Sequence, residues 1–129
     1  MGQRGRHRAL HPRFKLWVSS DQAEGVFGDG KWRLLGAIAR GGSLMAAAES
    51  LGMSYRKAWG DLQKAERCLG VDLLVKHRGG VGGGRTTLTE NGRRWLAAYS
   101  RFRREMEQVM AEAYDRHIGP LLAEERTHA

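Results

Sequence analysis

The chain has 129 residues, enough for one domain with a modest hydrophobic core. Its formal net charge of +8 favours a polyanionic partner, with nucleic acid the first candidate and an anionic membrane surface the second. A single cysteine, Cys68, excludes an internal disulfide and fits a reducing cytosol. No apolar run approaches the length of a membrane-spanning helix. We therefore expect a cytoplasmic protein without a membrane partner.

The N-terminal third predicts an arm, a hairpin and a helix. Residues 1–13 are polar and basic without periodicity, which predicts a disordered arm. Alternating apolar residues in Phe14–Val18 predict a strand, and Gly25–Phe27 predicts the return strand of a small hairpin. A supporting helix is expected over Lys31–Arg40, closed by a glycine pair. Because an isolated hairpin is only marginally stable, we expect it to pack on the helices.

The next segment predicts two capped helices joined by a tight turn. Ser43 is expected to cap a first helix over Leu44–Leu51, and Gly52 to end it in the left-handed conformation. Ser54 is expected to cap a second helix that runs to Leu69. This order is typical of a helix-turn-helix, whose second helix enters the major groove of DNA with its N-terminal residues at the base edges. The core stripe of the first helix is Leu44, Ala47, Ala48 and Leu51.

The second helix has two faces of different character. Ala58, Leu62, Ala65 and Leu69 repeat with helical periodicity and predict its core face, with Cys68 beside them as a small packing residue. Tyr55, Arg56, Trp59 and Gln63 lie on another face. Two interpretations of the aromatic side chains stay open. Either Trp59 packs under a neighbouring loop and Tyr55 is ordinary surface, or both add contacts along the groove beside Arg56.

A second hairpin is predicted after this helix. Val71–His77 and Arg85–Leu88 read as strands, and Gly79–Gly84 forms a flexible tip between them. Such a wing lies against the sugar-phosphate backbone or a minor groove, because glycines let the backbone come close and basic side chains supply charge. The residues expected to contact DNA on the helices and the wing are Ser43, Ser54, Tyr55, Arg56, Lys57, Trp59, Gln63, Lys64, Lys76, Arg78, Gly82, Gly83 and Arg85.

The sequence disfavours an enzyme. Gly79–Thr86 is close to a phosphate-binding loop, but Arg85 stands where that motif needs lysine, and a strand rather than a helix is predicted next. The five histidines have no metal-ligand spacing. We therefore expect no catalytic residues, no metal and no cofactor.

A long helix is expected from Thr89 to about Ile118, followed by a polar tail over 120–129 that begins with the helix-stopping Pro120. Six apolar residues along the helix are spaced 4, 3, 4, 3 and 4 apart, as in a heptad seam. We expect this seam to pair with a second copy of the chain; alternatively, the helix folds back over its own hairpin. The expected dimerisation residues are Trp95, Tyr99, Phe102, Met106, Val109 and Ala113.

The sequence resembles the DNA-binding region of the ModE family of molybdate-responsive transcriptional regulators and is more distantly similar to the LysR-type winged helix-turn-helix. The resemblance covers about Phe14 to Met110 and rests on GSLMAAAESLGMSYRKAW, LLVKHRGGVGGGRTTLTENGRRWL and the long helix. It implies a homodimer joined by the long helices, with recognition helices and wings on a roughly palindromic site. Family members with a ligand function carry molybdate-binding domains after the long helix. The chain is expected to lack these domains, and its effector stays open.

These features predict a mostly α protein with small β content. A winged helix-turn-helix over 14–92 has an N-terminal β-hairpin, and a long dimerisation helix over 89–119 follows it. The expected function is sequence-specific transcriptional regulation by a homodimer on double-stranded DNA. The alternative is a non-specific architectural DNA-binding protein, which needs the same charge but no base recognition.

Overall fold

The computed structural model describes residues 10–76 and 85–128. Contacts divide the chain into one unit from Leu16 to Arg101 and a second unit formed by the residues on either side of it. The mostly helical architecture with two small antiparallel sheets confirms the predicted fold class. Within the described ranges the elements are β1 (Trp17–Val18), β2 (Phe27–Gly28), α1 (Asp29–Gly41), α2 (Leu44–Ser50), α3 (Tyr55–Leu69), β3 (Leu74–Lys76), β4 (Thr86–Leu88), α4 (Glu90–His117) and α5 (Gly119–His128).

The predicted N-terminal hairpin forms, but its first strand is shorter than expected and its return strand lies at Phe27–Gly28 instead of Gly25–Phe27. Strand β1 pairs antiparallel with β2, and Trp17 lies opposite Gly28. A Cβ atom at Gly28 would lie 2.6 Å from the Cβ of Trp17, so glycine allows this close approach. The amide of Leu16 donates to Asp29 Oδ2 at 3.2 Å, which ties the hairpin to the start of α1.

The helix-turn-helix is built by local capping. The hydroxyl of Ser43 accepts the Ala46 amide at 3.0 Å, so the first helix begins as predicted. It ends at Ser50, one residue earlier than predicted, and Gly52 follows in the predicted left-handed conformation with φ 69°. The hydroxyl of Ser54 accepts the Lys57 amide at 3.1 Å and caps α3. These caps fix both helix starts from residues close in sequence.

The core of the 16–101 unit forms where α1, α2 and α3 meet the two sheets and α4. Alanines at the contacts between helices let the backbones approach closely. Two residues predicted to be inward are exposed. Leu51 is the C-terminal cap of α2 and leaves the helical stripe, while Cys68 lies on a different face from its neighbour Leu69. The buried residues that pack together are Phe27, Leu34, Leu35, Ile38, Leu44, Ala47, Ala48, Ala58, Leu62, Ala65, Leu73, Leu74, Leu88 and Tyr99.

The base of the predicted wing is present. Strands β3 and β4 pair antiparallel, with Leu74 opposite Leu88 and Lys76 opposite Thr86. The predicted glycine-rich tip, including Arg78, Gly82 and Gly83, lies outside the described residues.

The long helix α4 starts where the sequence predicts. The hydroxyl of Thr89 accepts the Gly92 amide at 2.9 Å and serves as its cap. Tyr99 is only 3% exposed and packs edge-on against Phe27, and Trp95 packs against the same ring, each with centroids 5.2 Å apart. The first two residues of the predicted dimer seam therefore pack on their own chain, which is the alternative that the sequence left open for this helix.

The polar tail expected over 120–129 is helical in the structure. Pro120 follows the end of α4, but it lies in the first turn of α5, which runs from Gly119 to His128. Proline fits there because the first helical residues have no intrahelical partner for an N–H group. The residue that ends one helix thus begins the next.

Candidate nucleic-acid interface

The candidate interface starts at the N-terminal end of α3. Tyr55 is 41% exposed, and Arg56 and Lys57 beside it are also exposed. The Nζ atom of Lys57 lies 3.1 Å from Asp61 Oδ2, one turn further along the helix. Because Ser54 uses its hydroxyl to cap the helix, the first turn is ordered and presents aromatic and cationic groups to solvent.

One face of α3 is cationic along its whole length. Ala58, Leu62 and Ala65 are fully buried on the core side. The opposite side exposes Arg56, Lys57, Gly60, Lys64 and Arg67. A helix that is apolar on one side and basic on the other can rest on its own core while it faces a polyanion.

The structure separates the two aromatic residues that the sequence placed together. Trp59 is half-buried and packs against the core cluster, whereas Tyr55 stays exposed. Gln63 is also half-buried. Trp59 thus packs against the core of its own domain, and Tyr55 is the more exposed of the two aromatic side chains.

The wing strands are attached to the junction between α1 and α2. The amide of Thr86 donates to the Gly42 carbonyl oxygen at 2.9 Å, and the Leu44 amide lies 3.3 Å from Thr86 Oγ1. These bonds place β4 beside Ser43, whose own hydroxyl is used in capping α2. Arg85, at the start of β4, is exposed. Of the predicted wing cations, Arg85 is thus the one whose side chain the structure describes; that of Lys76 is not described.

Two charged residues beside this surface escaped the sequence analysis. Glu66 on α3 is buried, at 7% exposed, and its Oε2 accepts the Leu73 and Leu74 amides at 2.8 and 3.1 Å. A glutamate eight residues before a strand carries no pattern that reveals this role. Lys31 donates from Nζ to the Gly25 carbonyl oxygen at 3.0 Å.

The environment of Lys31 shows how close α1 lies to the cationic face of α3. Burial lowers the pKa of Lys31, Asp61 opposes that shift, and Lys64 and Lys57 add to it. Lys31 therefore lies within the field of the charges on α3. The helical periodicity of α1 could have predicted that Lys31 is partly buried. It could not have predicted that Lys31 lies near α3.

The later part of the predicted dimer seam differs from its start. Phe102 is 40% and Val109 56% exposed, while Met106 and Ala113 are half-buried. These four residues lie in the second unit, whereas Trp95 and Tyr99 lie in the first. Exposed apolar residues thus continue along α4 after the core contacts end.

The described ranges, 10–76 and 85–128, hold no group of three or more His, Cys, Asp or Glu residues arranged to bind a metal ion. None of their helices has the length and hydropathy needed to span a bilayer.

Fold and surface together define a helix-turn-helix DNA-binding domain with wing strands. Residues 30–93 match the family model described as bacterial regulatory helix-turn-helix protein, lysR family. It is a ModE-like helix-turn-helix DNA-binding domain by its similarity to curated relatives.

Two relatives and one solved structure carry this assignment. The chain is 37% identical over 105 residues to the molybdenum transport protein ModE of Azotobacter vinelandii, covering 81% of this chain and 37% of the relative. It is 41% identical over 66 residues to the molybdenum-pterin-binding protein MopB of Rhodobacter capsulatus, covering 51% of this chain and 24% of that protein. The chain thus spans about a quarter to a third of the length of these relatives. The CbnR_DBD–DNA complex superposes with a TM-score of 0.51 at 25% identity, covering 71% of this chain and 95% of that one.

Proposed function

We propose that this protein is a sequence-specific transcriptional regulator that binds double-stranded DNA as a homodimer, with α3 in the major groove. The observation that carries the proposal is the start of α3. There a capped first turn presents Tyr55 and Arg56, on a helix whose outer face is basic throughout. Arginine forms paired hydrogen bonds with guanine, and residues at this end of a recognition helix reach base edges.

The expected role of each residue in DNA binding follows from the chemistry of its side chain. Arg56 and Tyr55 contact bases, whereas Lys57, Lys64 and Arg85 contact phosphates and set the orientation on the duplex. Ser43 and Ser54 act through the helix starts that they cap, where backbone N–H groups face an anion favourably. Trp59 acts by supporting α3 from the core side.

The test compares the upstream DNA of the protein's own gene with a shuffled fragment of the same composition, titrated at several salt concentrations. A sequence-specific regulator is expected to bind the fragment that contains its site at least about a thousandfold more tightly than the shuffled fragment at moderate salt. Equal affinity for both fragments would instead favour a non-specific architectural protein. Each titration is repeated with molybdate, because the curated relatives are named for molybdenum transport and binding. A change with molybdate would identify it as an effector.

The homodimer is a separate part of the proposal and has its own support. Phe102 and Val109 expose apolar surface on the same seam of α4, where a second helix would cover them. Sedimentation equilibrium should give a dimer that Val109→Lys weakens, while Gln108→Lys, on the next residue around the helix, leaves it intact. A monomer mass at every concentration would refute the dimer.

A further inference from the structure

Gly60 lies in the interior of α3, where glycine is a poor choice for a helix. Among the described residues, the glycines with positive φ are Gly25, Gly42, Gly52 and Gly70, so the backbone at Gly60 does not require glycine. Packing does not require it either, since a Cβ atom at Gly60 would meet nothing within 4 Å among the described residues. Neither backbone conformation nor packing of the described chain accounts for a missing side chain at this position.

The position of Gly60 on the helix suggests a different reason. It is exposed, and its neighbours on the helix surface, three and four residues away, are Arg56, Lys57, Gln63 and Lys64. Three of these four are exposed cations. Gly60 is therefore a bare patch of backbone in the middle of the basic face of α3.

Arg56 and Lys64 lie on either side of this patch along the helix. They are eight residues apart, which corresponds to about 12 Å along a helix axis. The major groove, about 12 Å wide, leaves little clearance for a helix whose diameter with side chains is about 10–12 Å. A side chain between these cations would hold the helix away from the groove floor, whereas bare backbone lets both cations reach their targets.

We propose that Gly60 is a positioning residue for DNA: its missing side chain lets the backbone of α3 come into van der Waals contact with the duplex. Arg56 and Lys64, four residues before and after Gly60, then contact the DNA on either side of this point. This inference rests on the proposed function and deepens it. The negative charge of DNA complements the surrounding cations, and close backbone approach to a ligand is an established use of glycine. Glycine lowers the stability of α3 in the free protein, and the closer contact with DNA in the bound state offsets this cost.

The proposal predicts opposite effects on stability and binding, which a structural role would not produce. Gly60→Ala and Gly60→Leu introduce strong helix formers, so the melting temperature of the free protein should rise by a few degrees. Affinity for the specific DNA should fall by about tenfold for alanine and further for leucine, as expected when one good base contact is lost. The control is Gly30→Ala in α1, another exposed helical glycine with nothing described within 4 Å of its Cβ position. It should keep wild-type affinity.

Each outcome has one meaning. Wild-type affinity in both Gly60 variants would overturn the proposal, because the duplex would not approach that backbone. A lower melting temperature for Gly60→Ala would also overturn it, since glycine would then serve the fold. If the wild-type protein does not prefer its own upstream DNA, the proposed function is refuted instead. The two failures can be told apart, because this measurement uses the protein without any substitution.

Discussion

Glu66 of α3 and Leu73, at the approach to β3, are joined by a hydrogen bond of 2.8 Å from the Leu73 amide to a buried carboxylate oxygen. The Leu74 amide reaches the same oxygen at 3.1 Å. Through this carboxylate, the helix that we place in the major groove and the first strand of the wing are held together.

Glu66→Ala should destabilise the protein strongly. Two buried amides would lose a charged acceptor, and leaving them unpaired is expected to cost about 2–3 kcal/mol. Glu66→Gln keeps one carbonyl oxygen in place and should recover part of the loss. Urea unfolding measures both values. Glu105→Ala, on an exposed part of α4, serves as the control and should unfold like the wild type. A wild-type midpoint for Glu66→Ala would show that these bonds add nothing to stability.

Gly92→Ala should lower the free energy of unfolding by about 1–3 kcal/mol or more, because overpacking displaces backbone. Gly92 is buried in the first turn of α4, and a Cβ there would collide with the carbonyl oxygen of Leu73. The matched substitution Gly30→Ala meets open space and should leave stability unchanged or raise it by up to about 1 kcal/mol. Thermal unfolding compares the two variants. Similar melting temperatures for both would mean that α4 shifts away from β3 without cost.

Arg56→Ala should relax base preference at one position of the binding site and cost roughly 1–3 kcal/mol of specific binding. The exposed guanidinium at the start of α3 is the group best placed to read a base. Binding to a panel of single-base variants of the preferred site measures this change. Arg104→Ala, on α4, should keep the wild-type preference. Equal losses on specific and random DNA would argue against base recognition by Arg56.

Arg85→Ala should weaken binding to all DNA sequences by a similar factor, since a phosphate contact carries no sequence information. The slope of log affinity against log salt should decrease by about one, as expected when one phosphate contact is lost. Titrations at four or more salt concentrations give the slope. An unchanged slope would show that Arg85, at the start of β4, does not contact a phosphate.

Local features of this protein were predictable because their causes lie within a few residues. Ser43, Ser54 and Thr89 each cap a helix through an amide three residues ahead, and Gly52 ends α2 in the conformation that glycine favours. The order of hairpin, helix-turn-helix, wing strands and long helix followed from these signals and from periodicity. Pro120 was expected to stop the long helix, and it also lies in the first turn of α5, because proline is both a stop and a start signal.

Sequence alone determined the main apolar faces of the helices and the starts of α2, α3 and α4, because hydrophobic periodicity and capping are properties of neighbouring residues. Only the tertiary structure decided what covers each face. Trp95 and Tyr99 continue the same heptad as Val109, yet they pack on Phe27 of their own chain, while Val109 stays exposed. In the sequence, Glu66 resembles any other surface charge. The fold brings the Leu73 and Leu74 amides within hydrogen-bonding distance of its carboxylate. A periodic pattern specifies a face to be covered, but the partner depends on contacts between residues far apart in sequence.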